Sequence, residues 1–278
     1  MPAAAGTLMN TPRRNWTREE TILAFELYCR TPFGRIGKNN PDIIRLAEII
    51  GRTPDAVAFK MCNLAHCDPV HQARNVSGLA HGSKTDKEVF EEFSQSWDSL
   101  AISAREILAI MTHKTLLEVA EETLKTPEGS DLPSLDSFPA GDIREQVIKT
   151  RVGQDFFRKA VLANYGNACC ITGIAEPRLL IASHIKPWAV SNDRTEKLNP
   201  RNGLCLNALH DRAFDQGLIT VDPEDHRIII SRQLAEVPME QETRDWLMHF
   251  KDQKIAKPGS FLPDPDFLEY HNEHIFQK

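Results

Sequence analysis

Two stretches, LLIASHIKPW (Leu179–Trp188) and RNGLCLNALHDRAFDQG (Arg201–Gly217), decide how the second half of this chain folds. The first is a short apolar run that ends on His184 and stops at a proline, as a buried strand does. In the second, Asn202–Gly203 is a turn signal that opens another apolar run, Leu204–Leu206. Ala208–Phe214 then reads as a helix, with His210 in its first turn. Strand, loop, strand and helix in that order make a ββα arrangement, which can bring His184, Asn202 and His210 to one metal-centred site. Phosphodiester hydrolysis needs a base to deprotonate water and a divalent cation to neutralise charge on phosphate. A neutral imidazole suits the first task near pH 7, and a second imidazole suits a metal ligand. Taken singly, each residue has an ordinary explanation. A lone histidine is more often structural, Asn–Gly is a turn, and Asp215 before Gln216–Gly217 would serve a helix-to-strand turn equally well. Their conjunction in order is what points to chemistry.

Outward from this centre, Asp142 to Tyr165 reads as a helix, followed by a turn at Cys169–Gly173. A hairpin of Leu218–Val221 and Arg227–Ser231 comes after the ββα stretch, and a short helix near Leu268–Phe276 closes the chain. From about Arg151 to Asp222 the sequence resembles the HNH endonuclease family, in the bacterial restriction- and defence-type branch with an "HI-P … NGL-L … H--FD-G" pattern. The lead-in RVGQDFFRKAVLANYGNACCITG (Arg151–Gly173) resembles the RxGQxxFRxxVLxxYxxxCxxTG segment that precedes the pattern in many bacterial members.

The resemblance implies an α+β chain whose C-terminal domain is a ββα-metal (His-Me finger) nuclease acting on DNA. It makes His184 the general base, Asn202 the residue fixing geometry beside the metal, and His210 a metal ligand. Mg²⁺ or Mn²⁺ is the implied cofactor, and the products would carry 5′-phosphate and 3′-hydroxyl ends. Ser183 departs from the pattern, because many members carry Asp or His there as a metal ligand and a neutral hydroxyl is a poor substitute. Asp215 is the expected replacement carboxylate, ahead of Asp211. A structural zinc is not expected, since only Cys169, Cys170 and Cys205 lie nearby and no CxxC pair is present. Lys186, Arg201 and Arg212 are the expected DNA contacts of this domain. Double-strand cutting often uses two active sites, so a homodimer is one expected assembly. The rival expectation is a non-catalytic DNA-binding protein with a degenerate HNH module, and Ser183 is the feature that favours it.

The first half reads differently. Residues 1–15 are small, polar and proline-containing, and are expected to be disordered. Trp16 to about Asn63 reads as three helices, started by the capping pair Thr17 and Glu20, by Pro41, and by Thr53–Pro54, with Gly51 stopping the second. That layout loosely resembles Myb/SANT and helix-turn-helix modules, which would make Arg52 and Lys60 DNA-backbone contacts. Asp86 to about Lys125 reads as an acidic helical spacer or packing arm. Cys62, His66 and Cys67 are close enough to suggest a metal but lack a fourth ligand. Residues 126–141, rich in Pro, Ser and Gly, are the expected linker between a helical domain (16–125) and a nuclease domain (142–278).

Composition is compatible with this division. The 278 residues are 41% apolar and 26% charged, as in soluble globular proteins, with no apolar run of membrane-spanning length. No secretory or transit pattern opens the chain, so a cytoplasmic location with reduced thiols is expected. The net charge of −6 looks wrong for a DNA partner, but it averages unlike regions. Between Arg144 and Arg212, eleven basic residues face six acidic ones, and local field is what phosphate responds to.

Overall fold

The computed structural model describes residues 14–73, 82–124, 135–139 and 141–278. Most of the expected disordered N-terminus and most of the expected linker lie outside the described residues. The architecture is α+β, with helices before residue 164 and two small antiparallel sheets after it.

The first three helices start and stop where their caps dictate. In α1 (Arg18–Cys29), the Thr17 hydroxyl accepts the Glu20 N–H while the Glu20 carboxylate accepts the Thr17 N–H, closing a capping box. Asn40 caps α2 (Pro41–Ile50), and Gly51 ends it in the left-handed conformation, φ 64°. Thr53 caps α3 (Pro54–Cys67). A short α4 (Pro69–Ala73) follows.

The segment expected to be a helical spacer or packing arm is three helices: α5 (Lys84–Phe93), α6 (Trp97–Thr112) and α7 (Leu116–Leu124). They build the core instead of bridging it. Phe25 of α1 is fully buried against the rings of Phe90 and Trp97, at centroid distances of 5.2 and 6.1 Å. Of the acidic residues, Glu88, Glu91, Glu92, Glu118 and Glu122 are exposed and Asp86 is buried, while Val89, Phe93, Leu100 and Ala104 point inward.

The 23-residue α8 (Asp142–Asn164) is the shared wall of the molecule. Phe156, fully buried, stacks on Trp97 from the helical side. Phe157, 100° further round the helix, faces the ββα unit. That unit consists of β1 (Leu180–His184), β2 (Gly203–Asn207) and α9 (Ala208–Asp215). The strands pair antiparallel, with His184 opposite Gly203 and Ser183 opposite Leu204. A second hairpin, β3 (Ile219–Val221) with β4 (Ile228–Ile230), leads to α10 (Arg232–Glu236), α11 (Gln241–Met248) and α12 (Pro265–His274). The hairpin and α12 match the sequence expectation to within a few residues; α10 and α11 are not part of that expectation. Among the described residues no helix is long and apolar enough to cross a membrane.

Candidate active site

His184 ends β1 and points toward α8. Its ring stacks on Phe157, with centroids 4.1 Å apart and planes 11° from parallel, and meets Trp188 edge-on at 5.5 Å. Gly203 makes this possible: a Cβ there would collide with Val161 and touch Phe157, so only glycine lets α8 approach the strand pair so closely. The imidazole Nε2 lies 2.9 Å from the Lys197 carbonyl oxygen. A carbonyl only accepts, so Nε2 carries the proton and Nδ1 keeps its lone pair. Burial pushes the ring pKa below its ordinary value, against a smaller upward pull from that carbonyl. His184 is therefore neutral at pH 7, with a basic nitrogen in a cleft of about 210 Å³ that Gln154, Arg158 and Trp188 also line.

Asn202 is fully buried and joins the two ends of the loop between the strands. Its Oδ1 accepts the Lys186 N–H at 2.8 Å. Its Nδ2 donates to the carbonyls of Lys186 and Glu196, both at 3.2 Å, and reaches the Ser191 hydroxyl at 3.4 Å. An asparagine with both ends of its amide occupied in this way fixes loop geometry, which in turn places the Lys197 carbonyl on His184.

Strand alternation sends Ser183 to the opposite face, toward α9. On that helix His210 is 2% exposed. The N-cap residue Asn207 holds its Nδ1 at 3.1 Å, and Trp246 and Phe250 press edge-on against the ring at 5.4 and 5.5 Å. Burial lowers its pKa to about 4, so the imidazole is neutral. Its Nε2 and the Ser183 Oγ are both buried without a hydrogen-bond partner. The Ser183 hydroxyl still acts on the Asp211 carboxylate from short range, lowering its pKa against a larger upward push from burial. Asp215 sits one turn further on, raised by burial and by the like charge of Asp211. Asp211 and Asp215 thus share a helix face, while His210 points away from it.

No hydrogen bond or ring contact joins His184 to His210; the hairpin lies between them. Among the described residues, no three His, Cys, Asp or Glu side chains form a group that could hold a metal ion. What is present is a neutral imidazole whose Nε2 is unpaired, a buried hydroxyl close to one carboxylate, and two carboxylates that repel each other. These donors fit a hard cation held by one or two protein groups and completed by water and substrate phosphate, not a preformed cage.

The expected DNA contacts divide into two groups. Arg212 is exposed, Lys186 pairs with Glu196 at 2.7 Å, and Arg201 lies 3.8 Å from Asp264. Arg52 and Lys60 are turned inward. Arg52 pairs with buried Glu20 at 2.7 Å and lies over the Trp16 ring. Lys60, 4% exposed, pairs with Asp86 at 2.5 Å. Both cations are committed to internal ion pairs, so a DNA backbone would have to compete with buried carboxylates for them. Cys62, His66 and Cys67 form no metal-binding group. Sequence reasoning missed Phe157, Trp188, Asn207, Trp246 and Phe250 as neighbours of the two histidines. Asn207 was findable as the polar residue before a helix start, and Phe157 lies inside the quoted lead-in.

Sheet pair, helix and motif order together define a ββα unit of the kind found in nucleases. Residues 169–222 match the family described as HNH endonuclease. No curated protein matches the chain.

Proposed function

We propose that this chain is a metal-dependent endonuclease that hydrolyses DNA phosphodiester bonds, with His184 as the general base. The observation that carries the reading is the His184 ring: neutral, protonated on Nε2 by the Lys197 contact, and offering Nδ1 to an open cleft. Nδ1 takes a proton from the water that attacks phosphorus, and the Lys197 carbonyl, already accepting from Nε2, stabilises the imidazolium that forms. Asn202 holds that carbonyl in place. Arg158 lines the cleft, held there by its bonds to the Leu180 and Pro177 carbonyls, and its charge is suited to attract a phosphate. A bound divalent cation, Mg²⁺ or Mn²⁺, would neutralise charge on the phosphate and the departing 3′ oxygen; Asp211 and Asp215, on one helix face, are residues to hold it, and His210, the ligand the family resemblance implies, would have to turn toward that face to join them. A cutting domain joined to a separate helical unit fits a restriction- or defence-type enzyme, by analogy of architecture.

A second reading has an observation of its own. His184 and His210 occupy opposite faces of the hairpin, and Ser183 replaces a charged ligand, as expected of an HNH domain that binds DNA without cutting it. Plasmid DNA incubated with the protein and Mg²⁺, Mn²⁺ or chelator separates the two. Metal-dependent nicking or linearisation, lost in His184→Ala by ~10²–10⁴-fold under single-turnover conditions, is the expected result. Retarded but uncut DNA in every metal would leave the binding reading standing.

A further inference from the structure

The helical half carries a second cleft, with no lining residue in common with the His184 cleft, where α2, α6, α7 and α8 meet. Its volume is about 280 Å³, at the small end of small-molecule pockets (~300–1,000 Å³). Five cationic side chains line it: Arg30, Arg45, Arg105, Lys114 and Lys159. On the wall, Glu122 pairs with both Lys114 and Arg45, at 2.6 and 3.7 Å, and Asp42 with Arg30, while Glu26 and Asp155 pair with Arg30, Arg105 and Lys159 from beneath. With all four carboxylates counted, the five cations still leave one positive charge over. The remaining wall is apolar, from Leu46, Ile49 and Leu108.

The deep end is where the charges are least satisfied. Arg105 is 2% exposed; one Nη donates to Glu26 at 3.2 Å, and the buried Nε–H has no acceptor. Arg30 directs its Nε to Glu26 and one Nη to Asp42. A buried guanidinium N–H without an acceptor, on a residue that lines a cleft, is an unmet demand that an anion beside the guanidinium would relieve. The nuclease reading uses none of these residues.

We propose that this cleft binds a small phosphate monoester, its phosphate on Arg105 and Arg30, with Arg45 and Lys114 at the mouth and its organic part against Leu46, Ile49 and Leu108. Several converging cations suit the three terminal oxygens of a phosphate better than the two of a carboxylate.

The test is calorimetric titration of the full-length protein with phenyl phosphate, inorganic phosphate and phenol. One-to-one binding of both phosphates, tighter for phenyl phosphate and absent for phenol, is expected. Arg105→Met should abolish it, but that buried residue also supports the fold. The double variant Arg45→Ala, Lys114→Ala removes side chains that are 68% and 38% exposed and should weaken binding about tenfold. His184→Ala should leave binding unchanged, which separates this site from the nuclease cleft. Absence of phosphate binding in the parent would overturn the proposal. So would an affinity unchanged in the double variant, since the phosphate would then sit elsewhere.

Discussion

At the scale of single residues, protonation governs what the two central histidines do. The His184 pKa is lowered from 6.5 by burial, and the ring must be unprotonated to act as a base. Cleavage should therefore rise from acid toward neutral pH, with the acid limb of kcat/KM centred below 6.5. A limb centred above that value would remove His184 as the titrating base. His210 and His271 are both lowered to about 4 by burial. In the unfolded chain they bind protons already near 6.5, so between those values the unfolded state holds more protons than the folded one. Their contribution to stability is complete above pH 6.5 and is lost as pH falls toward 4. Ser183 gives a sharper test. Ser183→Asp places a carboxylate at a position 3% exposed and within electrostatic reach of Asp211. Without metal this should lower stability by at least about 2 kcal/mol. Added Mn²⁺ should restore the melting temperature of the variant more than that of the parent, because the cation relieves the repulsion. Equal metal responses in the two proteins would mean that no cation binds between β1 and α9.

At the scale of elements, the loop from Ile185 to Arg201 depends on one side chain. Asn202→Ala would leave the Lys186 N–H unpaired, at about 1–3 kcal/mol where water cannot reach it, and would strip one donor each from the Lys186 and Glu196 carbonyls, which keep the Ser191 hydroxyl and the Asn199 N–H. It should open the loop to proteolysis between residues 185 and 200 and reduce cleavage by releasing Lys197 from His184. Asn202→Asp keeps the acceptor for the Lys186 N–H but loses the donors and buries a charge, so it should not rescue. A loop as protease-resistant as the parent's would show that the turn alone holds it. These elements were the most legible part of the sequence, because their signals are local. Thr17 with Glu20, Asn40–Pro41, Gly51 and Thr53–Pro54 each mark a helix end within a few residues. The apolar runs of β1 and β2 are bounded by proline and by Asn–Gly. Partnership across distance was not legible. Nothing near Lys60 announces Asp86, 26 residues on, and an amphipathic acidic stretch reads equally well as an arm or as the core helices α5–α7. Helix α11 is short and mostly polar, so its Trp246 gave no sign of closing over His210. The motif order located the site, but which face of the hairpin each histidine occupies follows from α8 and α11 packing.

At the scale of the whole molecule, the question is whether the division at residues 126–141 separates two cooperative units. The sequence expectation of a nuclease domain over 142–278 makes it a self-sufficient fragment. The packing argues for closer dependence. Phe156 and Val152 of α8 are buried, and Phe156 stacks on Trp97. Tyr28 of α1 donates toward Ser260 at 3.1 Å and meets the Phe261 ring edge-on at 6.1 Å. Asn164 fixes that same C-terminal stretch, accepting the N–H groups of Ser260 and Phe261 at 2.9 and 3.0 Å. Removing residues 1–141 would uncover the inward face of α8 and the Phe261 ring, each side chain worth about 1.5–3 kcal/mol of burial. We expect the full chain to unfold in one cooperative transition, and a fragment from Asp142 to melt at a lower temperature or to associate through the exposed α8 face. Differential scanning calorimetry of both constitutes the measurement. Two resolved transitions in the full chain, one of them coinciding with that of the fragment, would establish independent domains and return α8 to the nuclease half alone. A single transition would instead mean that α8 couples its two faces, so that changes around Trp97 should be felt at Phe157 and at the His184 ring stacked on it.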